Sequence, residues 1–147
     1  METLLGAIVK DKHQALFTVA PDAPVKEAVE VMTEGNVGSV MVMTHGHLDG
    51  LFTERDLMRR VIYRGLDPAA TPIRDVMTTE VAIVSPKMTV GEAMSLCTQK
   101  RLRHLPVYED DGTLLGIVSA GDLTKYAISE QEHTIEDLTR YIYGDRA

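Results

Sequence analysis

Two short segments of this chain set a hydroxyl three residues ahead of a carboxylate: Thr53 before Asp56, and Ser119 before Asp122. Each follows an apolar run opened by glycine, Gly50-Leu51-Phe52 and Gly116-Ile117-Val118. The simplest role for such a pair is to cap a helix. The hydroxyl accepts a bond from a backbone N–H, and the carboxylate sits near the positive helix end. The same geometry can hold a ligand. Unpaired N–H groups at a helix start favour phosphate, and glycine lets a backbone approach closely. A carboxylate there can accept bonds from neighbouring sugar hydroxyls. A single motif of this kind reads as a cap; two at matching places suit a sugar phosphate.

The places match because the chain is duplicated. Pro21, Val25, Glu27 and Ala28 return as Pro86, Val90, Glu92 and Ala93, and Gly50–Leu57 returns as Gly116–Leu123. The offset grows by one residue in the turn around Glu109–Thr113. A duplicated unit predicts an α+β fold of tandem β-α-β-β-α repeats packed with pseudo-two-fold symmetry, their equivalent sites facing a shared cleft. In the first repeat, Leu16–Val19 reads as a strand stopped by Pro21. Val25, Ala28, Val29 and Met32 space a helix that ends near Gly35-Asn36. Ser39–Met43 and Leu48–Phe52 form a hairpin, and a basic helix runs from Glu54 to about Tyr63. In the second, Ala82-Ile83-Val84 is a strand, and Val90, Ala93, Met94 and Cys97 line a helix. His104–Tyr108 and Leu114–Ser119 form a hairpin, with a helix from about Ala120. The linear division is residues 1–66, 67–128 and a helical tail at 129–147, where Ile135, Leu138, Ile142 and Tyr143 space an amphipathic helix.

The positive charge a phosphate needs lies in Lys100-Arg101-Leu102-Arg103-His104-Leu105-Pro106-Val107. Arg103 and His104 open a strand, and Pro106 within it suggests an edge or a bulge, hence an accessible cleft. Gly38-Ser39 holds their place in the first repeat, so the two clefts should differ in affinity. Arg55 adds a cation beside the first Thr-x-x-Asp; Arg59, Arg60 and Arg64 read as a solvated face.

Of the 147 residues, 44% are hydrophobic and 25% charged, as in a soluble globular protein. The net charge of −7 argues against nucleic acid or an anionic membrane as partner. Cys97 excludes an internal disulfide and reads as a packing residue. No signal-peptide start or membrane-length apolar run is present, so a cytoplasmic location is expected. His45-Gly46-His47 sits on a hairpin turn and reads as a loop rather than a metal site. No nucleophile with its base, P-loop or GxGxxG is present, so no enzyme activity, metal or catalytic cofactor is expected.

The segments Gly-Leu-Phe-Thr-Glu-Arg-Asp-Leu, Arg-His-Leu-Pro-Val and Gly-Ile-Val-Ser-x-x-Asp-Leu resemble the signatures of a cystathionine-beta-synthase (CBS) domain pair, or Bateman module. The resemblance spans roughly Leu4 to Ala127. It implies a regulatory module that binds AMP, ADP, ATP, NAD or S-adenosylmethionine between its repeats. By that resemblance Asp56 and Asp122 hold ribose, Thr53 and Ser119 meet phosphate, and Arg103 and His104 reach the phosphates. Phe17-Thr18 and Ala82-Ile83 flank adenine, and Lys12 and Thr78 are further phosphate contacts. The resemblance also implies a homodimeric four-domain disc acting on a separate effector protein. The alternative is a ligand-free dimerisation module whose Thr/Ser-x-x-Asp pairs only cap helices.

Overall fold

Val25, Ala28 and Met32 are buried at helical spacing, and with Val40, Val42 and Phe52 of a neighbouring hairpin they form the first of two separate cores. The computed structural model describes residues 3–12 and 17–129. The tail at 129–147 therefore lies almost wholly outside the described residues, as does Leu16. The fold is α+β with two repeats, one in each of two units.

The first unit spans described residues 17–81. Strand β1 (Thr18–Val19) enters it and pairs parallel with β2 (Ser39–Thr44), which pairs antiparallel with β3 (His47–Thr53). Between β1 and β2 lies helix α2 (Val25–Gly35). Asn36 ends it in the left-handed region at φ 51°, while the Val37 N–H bonds back to the Met32 carbonyl at 3.0 Å. The β2–β3 hairpin turns on His45 and Gly46, both at positive φ, the twist that a two-residue hairpin loop requires. A helical turn, α3 (Glu54–Asp56), follows β3 and widens into a π-helix at Leu57–Ile62. The chain then returns through a 3₁₀ turn at Ile73–Asp75, where the Ile73 N–H donates to the Ala23 carbonyl.

The second unit joins described residues 82–129 to residues 3–12. Helix α4 (Val90–Lys100) is capped by the Thr89 hydroxyl, which accepts the Glu92 N–H at 3.1 Å, and it ends on Arg101 at φ 55°. Strands β4 (His104–Tyr108) and β5 (Leu114–Ser119) pair antiparallel, and helix α5 covers 120–129. The N-terminal helix α1 (Leu5–Lys12) packs on β4 and β5 and buries Leu5 and Ile8 completely. Its start is tied to this unit by Leu5 N–H to the Met88 carbonyl and Gly6 N–H to the Pro86 carbonyl, both 2.9 Å. The linear division thus differs from the folded one at both ends. Residues 3–12 pack with the second repeat, and residues 67–81 with the first.

The strand expected at Ala82-Ile83-Val84 is reduced to one parallel bridge, Val84 beside Val107. Pro106 supplies the reason. Val84 N–H reaches the Pro106 carbonyl and Tyr108 N–H the Val84 carbonyl, but the next rung needs an N–H at residue 106. Proline has none. Pro106 is itself buried, flanked by β5 and by Val84, so of the edge or bulge expected of it the exposed edge is absent, while the β4–β5 register shifts close by, between Val107 and Tyr108.

Candidate carboxylate sites and family

Each Thr/Ser-x-x-Asp segment stands where a strand becomes a helix. In the first unit, the Thr53 hydroxyl accepts the Asp56 N–H at 3.2 Å, and Asp56 Oδ2 accepts the Thr53 N–H at 3.1 Å. In the second, the Ser119 hydroxyl accepts the Asp122 N–H at 3.1 Å, and Asp122 Oδ2 accepts the Ser119 N–H at 2.9 Å. Both are reciprocal capping boxes with Asp in the acidic place. The preceding hairpin strand is bound to each helix start in the same way. Glu54 N–H donates to the Gly38 carbonyl at 3.1 Å, and Ala120 N–H to the Arg103 carbonyl at 2.8 Å. Ser39 is the cross-strand partner of Thr53, and His104 of Ser119. Gly38-Ser39 and Arg103-His104 therefore hold equivalent places, each beside its capping box.

The two carboxylates have different surroundings. Asp56 is 6% exposed, the sole charged residue in the buried class among the described residues. The Thr78 hydroxyl donates to it, 2.9 Å from Oδ1 and 3.1 Å from Oδ2, and Arg60 Nε lies 3.6 Å from Oδ1. Arg60 also donates from Nη1 to the Met77 carbonyl at 3.0 Å. Thr78 is fixed in turn by a two-way backbone bridge to Leu51, at 2.8 and 2.9 Å. Gly50 permits this approach: a Cβ there would stand 2.6 Å from the Thr78 carbonyl oxygen. Asp122 is half-buried. Tyr126 holds the place of Arg60, and its hydroxyl donates to Asp11 Oδ2 at 2.9 Å. Desolvation, the Asp11 bond and the charges of Asp11 and Asp122 raise the Tyr126 pKa.

The structure gathers Gly38, Ser39, Thr53, Arg55, Asp56 and Thr78 in the first unit, with Phe17 and Thr18 on its entry strand. It gathers Arg103, His104, Pro106, Ser119 and Asp122 in the second, with Ala82 and Ile83 on the entry segment and the backbone of Lys12 at the end of α1. The Lys12 side chain lies outside the description. Arg103 is exposed and His104 half-buried. Phe17 packs against the first core and Ala82 against the second, while Thr18 is exposed and Ile83 is 61% exposed. Thr78 faces the carboxylate. Arg60, Tyr126 and Asp11 are the residues that sequence reasoning missed. The duplication held the signal, since the offset that carries Asp56 to Asp122 also carries Arg60 to Tyr126.

Cys97 packs on the second core, where burial pushes its thiol pKa up and away from the reactive thiolate. Among the described residues, no three metal-ligating side chains cluster and no helix is long and apolar enough to cross a membrane.

The CBS domain model matches residues 9–63 and again 73–129. The chain belongs to the CBS domain family. It is 38% identical over 151 aligned residues to the mitochondrial CBS domain-containing protein CBSX3 of Arabidopsis thaliana, covering 97% of this chain and 73% of that one. A solved protein with CBS domains from Burkholderia ambifaria superimposes with a TM-score of 0.82 at 36% identity, over 88% of this chain and 96% of the other. A CBS domain protein from Pyrobaculum aerophilum, solved in complex with AMP, shares the fold with a TM-score of 0.70 at 20% identity, over 81% and 88% of the two chains.

Proposed function

We propose that this CBS-domain chain is a regulatory module that binds an adenosine-containing ligand and passes its occupancy to a separate protein without catalysis. The ligand class is AMP, ADP, ATP, NAD or S-adenosylmethionine. One observation carries the reading: a half-buried carboxylate, Asp122, is fixed by its capping box at a helix start, beside a strand that opens with Arg103 and His104. In this reading Asp122 accepts the ribose hydroxyls, Ser119 and the helix start face phosphate, and Arg103 and His104 bring positive charge. Ala82 and Ile83 line the adenine side. Asp56, Thr53, Gly38, Ser39, Arg55, Phe17 and Thr18 form the counterpart in the first repeat. The module acts as a cytoplasmic homodimer on its effector, shifting it only by the ligand's differential affinity for two arrangements.

The AMP held by the Pyrobaculum relative makes AMP the first ligand to try. In thermal melts with AMP, ATP, NAD and S-adenosylmethionine, a ligand at a hundred times its Kd stabilises by about 2.7 kcal/mol. Asp122→Ala removes the second repeat's share of that gain. No shift with any of the four overturns the reading. A second reading has its own support, because both boxes demonstrably cap their helices. A purely structural module shows the stability cost of Asp122→Ala with no ligand effect to lose.

A further inference from the structure

We propose that Thr78 is a built-in competitor for the first repeat's carboxylate, its hydroxyl standing where a ligand's sugar hydroxyl would. The inference rests on the reading of the Thr/Ser-x-x-Asp carboxylates as sugar acceptors, and it concerns what a ligand must displace at the first of them.

An ionised carboxylate offers about four acceptor positions. At Asp56 they are taken up by the chain itself: Thr53 N–H on Oδ2, the Thr78 hydroxyl across both oxygens, and the Arg60 guanidinium against Oδ1. With the residue only 6% exposed, a pair of sugar hydroxyls can enter only by replacing one of these donors. Thr53 N–H is fixed by the capping box. Arg60 carries a full charge and is anchored a second time on the Met77 carbonyl. Thr78 is neutral and shares one hydrogen between two acceptors, so it is the least costly partner to displace. Its backbone is pinned to Leu51 in both directions, so displacement needs only a turn about its side-chain bond. The gate is therefore a rotamer rather than a moving segment. The second repeat is built differently at the residue four positions after its carboxylate. Tyr126 stands there in place of Arg60, and its hydroxyl is committed to Asp11. Displacing Thr78 thus sets the ligand concentration at which the first site fills.

The test isolates the first site by calorimetric titration with AMP in an Asp122→Asn background. Adding Thr78→Val removes the competing hydroxyl and keeps the side-chain shape. It tightens AMP binding about tenfold, the equivalent of one hydrogen bond to a charged group. Asp122→Asn with Thr78→Ser retains a hydroxyl and stays at the affinity of Asp122→Asn alone. Thermal melts confirm that each variant is folded, and Thr78→Ala replaces Thr78→Val if the valine is not accommodated. Unchanged affinity in the valine and alanine variants overturns the proposal. So does weaker binding, which makes Thr78 a contact of the ligand itself. If the unmodified protein binds none of the four nucleotides, the functional reading has failed, an outcome distinct from either of these.

Discussion

Met41 and Pro106 hold the same place in the two repeats, and only Met41 donates a backbone hydrogen to the strand that enters its unit. Its N–H lies 3.0 Å from the Phe17 carbonyl. Pro106 cannot make the matching bond to Ala82, so parallel pairing there stops at Val84. Pro106→Ala restores the donor. Amide exchange should then show a protected N–H at residue 106 and slower exchange at Val84. Net stability changes little, because loss of the buried ring offsets the new bond. An N–H at 106 that exchanges like a solvent-exposed one refutes this account of the shortened strand.

Gly50 sits under the Thr78 backbone, where a Cβ would come within 2.6 Å of a carbonyl oxygen and 3.2 Å of the Met77 sulfur. The oxygen belongs to a backbone held by Leu51 and cannot give way cheaply. Gly50→Ala should cost about 2 kcal/mol or more in urea unfolding. A cost below about 0.5 kcal/mol would mean that β3 and the Thr78 segment part readily.

Arg101 ends α4 in the left-handed region at φ 55°, the place that Asn36 takes after α2. Arginine has a Cβ and no short side chain to offset the strain. Arg101→Gly should raise stability by about 0.5–1 kcal/mol, seen as a higher Tm. A lower Tm would show that the arginine makes a stabilising contact worth more than its strain.

Tyr126 gives a signed pH dependence. Desolvation first, then its bond to Asp11 and the charges of Asp11 and Asp122, hold its hydroxyl pKa above the ordinary value. The stabilisation linked to this shift is complete below the unfolded tyrosine pKa, about 10. It is lost as pH rises through the folded value, because the unfolded chain releases the proton first. Urea midpoints from pH 8 to 11 should therefore fall more steeply for the natural protein than for Tyr126→Phe. Parallel curves would remove Tyr126 from the account of alkaline unfolding.

How much of this was legible in the sequence depends on how local each cause is. Thr53 and Asp56, like Ser119 and Asp122, lie three residues apart, so their capping boxes are written in adjacent positions. The spacing of Val25, Ala28 and Met32 likewise announces α2. Helix α1 is a run of eight residues, marginal by itself, and its ties to Pro86 and Met88 are remote in sequence. Arg60 read as one of several surface arginines: its carboxylate lies only four residues back, but the Met77 carbonyl that anchors it beside Asp56 arrives only in the fold. Pro106 carried a correct warning about pairing. The missing donor faces Ala82, however, so the proline shortens a neighbour's pairing and does not expose its own strand.

The placement of α1 sets an order of events during synthesis. Residues 17–81 form their unit in one continuous stretch, and that unit can close once residue 81 has emerged. Leu5 and Ile8 leave the ribosome well before the strands that enclose them, which come about a hundred residues later. Until then a pair of bare aliphatic side chains must wait on the nascent chain. Closing so long a loop costs more chain entropy than closing a short one, and apolar side chains left bare in the meantime favour aggregation.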